Sequence, residues 1–125
     1  QMCIRDSYTT GHNVMKIQVD VSVGEYLDKY SILKIKEEKG LDVKNELDQY
    51  EIIFDAGFDY YLNIMMAINS QLWNLEDIKR FGVERYSKEE SDTALLITQL
   101  NDLRHETKKR IDIYFQSEIT EKKSH

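Results

Sequence analysis

Residues 43–75 read VKNELDQYEIIFDAGFDYYLNIMMAINSQLWNL, and this stretch decides the fold. Apolar side chains fall at Val43, Leu47, Tyr50, Phe54, Phe58, Tyr61, Met65, Ile68, Leu72 and Leu75, in steps of 4, 3, 4, 4, 3, 4, 3, 4 and 3. That is a heptad seam with one extra-long step, the pattern of a stutter in a coiled coil. Gly57 sits inside the long step, and the seam keeps its phase across it. The spacing therefore predicts one long helix over residues 42–80, bent near Gly57, about 58 Å long at the usual rise per residue.

Working outward, residues 16–22 alternate, with Ile17, Val19 and Val21 on one side of a short strand. Ser22 and Glu25 form a capping box that opens a helix from Val23 to about Lys39, stopped at Gly40. Beyond the seam, Phe81-Gly82 ends the long helix, and Ser87 with Glu90 makes a second capping box. The last helix carries a seam of Leu96, Leu100, Leu103, Thr107, Ile111 and Tyr114 and ends near Phe115. The absence of proline leaves nothing inside these segments that must break a helix. The expected fold is all-α with one short N-terminal strand: a long antiparallel hairpin, coiled-coil-like, plus a shorter packing helix. Short connections imply antiparallel neighbours throughout. In that register the first helix cannot reach the far end of the hairpin, and the strand pairs with the tail from Ser117 onward.

The chain has 125 residues, enough for one domain. Residues 1–14 read as a non-native leader, with Met15 as a natural start and 15–125 as a single helical domain. Cys3, the sole cysteine, and His12 fall in that leader, which excludes a disulfide, a thiol nucleophile and a cysteine zinc site from the expected domain. His105 alone stays inside the apolar-patterned part, so a multi-histidine metal site is excluded too, and it falls with Ala94, Thr98, Asn101 and Asp112 on a polar face. A net charge of −6 argues against non-specific nucleic-acid binding. No run is long and apolar enough to insert in a membrane, and a cytoplasmic location is expected.

Two groups of residues could carry chemistry. Ser22, Glu25, Asp28 and Lys29 gather at the end of the strand, close to Glu118, Glu121, Lys122 and Lys123 in the expected register, where a carboxylate pair could bind a divalent cation. A capping box and an i,i+4 Glu25–Lys29 pair explain the same residues, and no second carboxylate set faces them. Further along, Asn69, Trp73, Glu76 and Asp77 face Asn101, Asp102, Arg104 and Lys108 across the hairpin. Arg104 and Lys108 could hold a carboxylate or phosphate, as in a chorismate-mutase-like polar layer. The competing reading is a polar layer that sets coiled-coil register. Ser31, between Leu27 and Ile35, reads as a small residue for close helix approach. Leu62, Met66 and Trp73 form a second apolar stripe that the hairpin cannot bury, which suggests a homodimer or another protein partner on that face.

The segment Val21–Lys36, the run Leu72–Ile78, Asn101-Asp-Leu-Arg104 with Lys108 and Ile111, and the ending Ser117–Ser124 together resemble a family of small bacterial and phage proteins, domain of unknown function 6165. The resemblance spans nearly all of residues 15–125 and implies no activity, catalytic residue, metal or cofactor. It directs attention to Gly24, Glu25, Asp28, Lys29, Trp73, Glu76, Asp77, Asn101, Asp102 and Arg104, and by context to glycosyltransferase and surface-polysaccharide loci. In the antiparallel register Asp28 lies about 24 Å from Asn69, so one site cannot contain both. The expected function is a non-catalytic interaction or assembly module; the alternative is a small all-helical enzyme acting on an anionic metabolite.

Overall fold

The computed structural model describes residues 17–50 and 55–116. Four α-helices follow in order: α1 (Val23–Glu38), the single turn α2 (Lys44–Leu47), α3 (Ala56–Asp77) and α4 (Lys88–Phe115). The last turn of α3 widens into a π-helical segment, Ile78–Gly82. The expected leader 1–14 and the tail from Ser117 lie outside the described residues. Residues 17–22 form no strand, and Ile17 and Val19 are exposed; an isolated extended segment has no ladder to join. Among the described residues, no helix is long and apolar enough to cross a membrane.

The hydroxyl half of each capping box forms, and the reciprocal carboxylate half does not. The Ser22 hydroxyl accepts from the Glu25 N–H at 3.2 Å, and the Ser87 hydroxyl accepts from the Glu90 N–H at 3.1 Å. The Glu90 carboxylate reaches back to the Tyr86 N–H rather than to Ser87, whose own N–H donates to the Glu84 carbonyl. Gly40 takes φ +85°, the left-handed conformation that glycine tolerates at a helix end. α4 closes on Gln116, also left-handed at φ 50°.

The single helix expected over 42–80 is two separate helical pieces. Asp55 caps α3 afresh, its carboxylate accepting from the Gly57 and Phe58 N–H groups at 2.8 and 3.2 Å. Upstream, Tyr50 stacks on Tyr26 and Tyr30 with ring centroids 4.9 and 5.6 Å apart, so the chain after α1 doubles back along it. A heptad phase is blind to such a return, because an aromatic at a seam position packs equally well from a loop.

That return changes the direction of α1. Tyr26 meets Phe58, Ser31 meets Asn69, and Lys39 lies over Trp73, so α1 runs parallel to α3. Gly24 meets Asp112 and Asp28 meets Arg104, so α1 runs antiparallel to α4. The expected all-antiparallel arrangement is therefore corrected, and α1 does reach the far part of the hairpin. With it goes the ground for a spare stripe: Leu62 packs against the core beneath α1, and Trp73 shares a groove with Ile32 and Ile35.

The core has two storeys. Leu27, Phe58, Met65 and Ile111 fill the first, and Ile68, Leu72 and Ile97 the second. Of the expected α4 seam, Thr107 and Ile111 are buried, whereas Leu96, Leu103 and Tyr114 are exposed. α4 instead turns Thr93, Ile97, Thr107 and Ile111 inward, since α1 and α3 both pack on it and shift its buried stripe.

Candidate functional site

Between the two storeys lies a buried polar cluster to which all three long helices contribute. Asp28 is its centre, with only 2% of its side chain exposed. Leu27 beside it and the i+3 position Ser31 are fully buried, so the α1 stripe facing inward carries a carboxylate among its apolar residues. Arg104 approaches from α4 with a fork: Nε lies 3.0 and 3.1 Å from the two carboxylate oxygens and Nη2 lies 2.7 Å from Oδ2. Lys108, one turn later, places Nζ 3.3 Å from the same Oδ2 and pairs closely with Glu25. From α3, the Asn69 amide donates to Asp28 Oδ1 at 3.0 Å and to the Ser31 hydroxyl at 2.8 Å. The Ser31 hydroxyl in turn donates to the Asp28 backbone carbonyl at 2.7 Å. Among the described residues, no buried side-chain nitrogen or oxygen lacks a hydrogen-bond partner.

Helix contact above the cluster is equally close. Gly24 donates its N–H to Asp112 Oδ1 at 2.7 Å, and a Cβ there would stand 2.6 Å from the Lys108 carbonyl oxygen. Glycine is what lets α1 approach α4 near enough for Asp28 to reach Arg104.

The electrostatics follow from these contacts. Burial on its own raises the Asp28 carboxyl. Hydrogen bonds from Arg104 and Asn69, with the charges of Arg104 and Lys108, outweigh it and hold the group below the ordinary carboxylate value. Asp28 is thus an anion at neutral pH, and its charge is spent on side chains of its own fold.

Gly24, Glu25, Asp28, Lys29, Asn69, Asn101, Arg104 and Lys108 come together at this level, Lys29 through a 3.9 Å pair with Glu25 and Asn101 through a 3.5 Å contact with Arg104. The expected 24 Å gap between Asp28 and Asn69 is replaced by a 3.0 Å hydrogen bond, because α1 is parallel to α3. Trp73, Glu76 and Asp77 make no polar contact with Asp28 but line an open groove of about 340 Å³ that Asn69, Asn101 and Arg104 of the cluster also border, with Arg80. Asp102 is exposed on the far side of α4 and takes no part. His105 is exposed, as its polar neighbours suggest. Sequence reading missed two members. Ser31 is more than a small spacer, and Asp112 faces α1. The available signal was the four-residue ladder Arg104, Lys108, Asp112, which puts all three on one face of α4.

No family model matches the chain, and neither does any curated protein or solved structure. The functional reading therefore rests on this geometry.

Proposed function

We propose that the chain is a non-catalytic interaction and assembly module whose buried polar cluster fixes the mutual register of three helices. One observation carries this reading: the two cations that an anionic substrate would need are already engaged, Arg104 in a fork on Asp28 and Lys108 between Asp28 and Glu25. A bound metabolite would have to displace the buried Asp28 carboxylate from both cations. Buried charge networks of this kind specify which helices meet and in what register. A chorismate-mutase-like layer needs both cations turned toward an open cavity; Arg104 borders the open groove while held on Asp28, and Lys108 does not line it.

In this reading the module is cytoplasmic and acts through a second copy or another protein. Leu62 already packs on the core that includes Leu27 of α1, and Trp73 shares a groove with Ile32 and Ile35 of α1, so a partner on the Leu62, Met66 and Trp73 face would have to share it with α1. The link to surface-polysaccharide or glycosyltransferase pathways rests on the family resemblance alone.

The test is a titration of the full chain with inorganic phosphate and with a small dicarboxylate, read on the side-chain resonances of Arg104 and Lys108. The module reading predicts no saturable shift at either residue. A saturable shift at Arg104 Nε with either anion would overturn it in favour of the small enzyme on an anionic metabolite.

A further inference from the structure

The flank of α4 that does not meet α1 carries a seven-residue repeat, Glu89, Leu96, Leu103 and Arg110. α1 meets α4 through Arg104, Lys108 and Asp112. Leu96 and Leu103 lie off that contact, 47% and 50% exposed. Together with Leu75 and Leu100 they line an apolar groove of about 440 Å³ between α3 and α4, rimmed by glutamine and asparagine. Three helices are packed and a fourth position beside α3 and α4 is open.

The pattern on this flank is symmetric in shape and antisymmetric in charge. Leu96 and Leu103 stand equally far from a midpoint between Gln99 and Leu100, and so do Glu89 and Arg110. Glu89 has no ion pair among the described residues, and Arg110 has only a loose 3.9 Å contact with Glu106 while staying largely exposed. The geometry points to a second copy of this chain as the occupant, with two α4 helices antiparallel about a two-fold axis at that midpoint. Leu96 then packs on Leu103 of the second copy, and Glu89 pairs with Arg110 at both ends of the contact. An isologous interface repeats every contact twice, so one leucine pair and one charge pair per chain supply two of each. A seven-residue spacing keeps all four positions on one seam along about 32 Å of helix. A foreign helix would have no reason to find acid and base placed symmetrically around two leucines.

This inference rests on the module reading and gives it a partner. The experiment is sedimentation of the full chain across a concentration series, with Leu96→Asp and the charge reversals Glu89→Arg and Arg110→Glu. The unmutated chain should show a concentration-dependent dimer mass. Leu96→Asp should weaken dimerisation by roughly two to four orders of magnitude with unchanged helicity. Each charge reversal should weaken it about tenfold. Mixing the Glu89→Arg and Arg110→Glu chains should restore association, because both charge pairs re-form in the heterodimer. A monomer at hundreds of micromolar, or a dimer indifferent to all three substitutions, overturns the inference. Both results are independent of the anion titration, so failure here is distinguishable from failure of the module reading.

Discussion

Replacing Asp28 by alanine strands the cluster's cations. Asp28 is 2% exposed, Arg104 23% and Lys108 18%. Removing one partner of a buried pair costs about 3–5 kcal/mol, chiefly because the remaining charge is left desolvated. Two features pull the value to the low end: Arg104 retains some access to water, and Lys108 keeps Glu25. The Asn69 amide loses its Asp28 acceptor but keeps Ser31. The expected loss is about 3 kcal/mol, or about 12–24 °C in Tm for a domain of this size. Asp28→Asn preserves volume and a hydrogen-bonding group, and should cost about half as much. The two variants also differ from the parent in pH dependence. Because the folded Asp28 pKa lies below the unfolded one, its stabilisation is complete above the unfolded value of about 3.9 and is lost as pH falls through the folded value. The stability gap between the parent and Asp28→Asn should therefore be widest near neutrality and narrow in acid. Urea denaturation followed by far-ultraviolet circular dichroism, repeated down the pH scale, measures both. An Asp28→Ala loss under about 1 kcal/mol, or a parent-to-Asn gap that does not change with pH, would refute the reasoning.

Gly24→Ala and Gly57→Ala should diverge although both place a Cβ 2.6 Å from another atom. At Gly24 the obstacle is the α4 backbone and the cost should be about 1–3 kcal/mol; at Gly57 it is the ring edge of the exposed Tyr114, which can swing away, so thermal melts should show little change. Asp55→Ala removes the cap that starts α3 and should cost about 1 kcal/mol, visible as faster amide exchange at Gly57 and Phe58. Asn69→Leu should destabilise by about 1–3 kcal/mol, because both Asp28 and Ser31 lose a donor inside the core.

Helix ends were legible in the sequence because their signals are local. Ser22, Ser87 and Gly40 act through atoms three or four residues away, and each ends or opens its helix where its spacing implies, although neither Glu25 nor Glu90 closes its capping box. The direction of α1 was not legible. It depends on Tyr50 stacking against Tyr26 and Tyr30, a contact between segments whose periodicity is equally compatible with a continuous helix. An antiparallel α1 would put Asp28 and Asn69 at opposite levels; the parallel one puts them in hydrogen-bond contact. The α4 seam failed for a related reason. Leu96 and Leu103 satisfy the heptad better than Ile97 does, yet the inward face is chosen by Arg104 and Lys108 reaching Asp28. A polar requirement overrode an apolar pattern, and the displaced leucines became the exposed flank.

The most direct test is a double-mutant cycle on Asp28 and Arg104, using Asp28→Asn and Arg104→Gln in the full chain at neutral pH. A forked, buried pair that locks α1 to α4 predicts a coupling energy of about 1.5–3 kcal/mol. Additive losses, with coupling under about 0.5 kcal/mol, would mean that Arg104 is free to serve another partner, and would contradict the account.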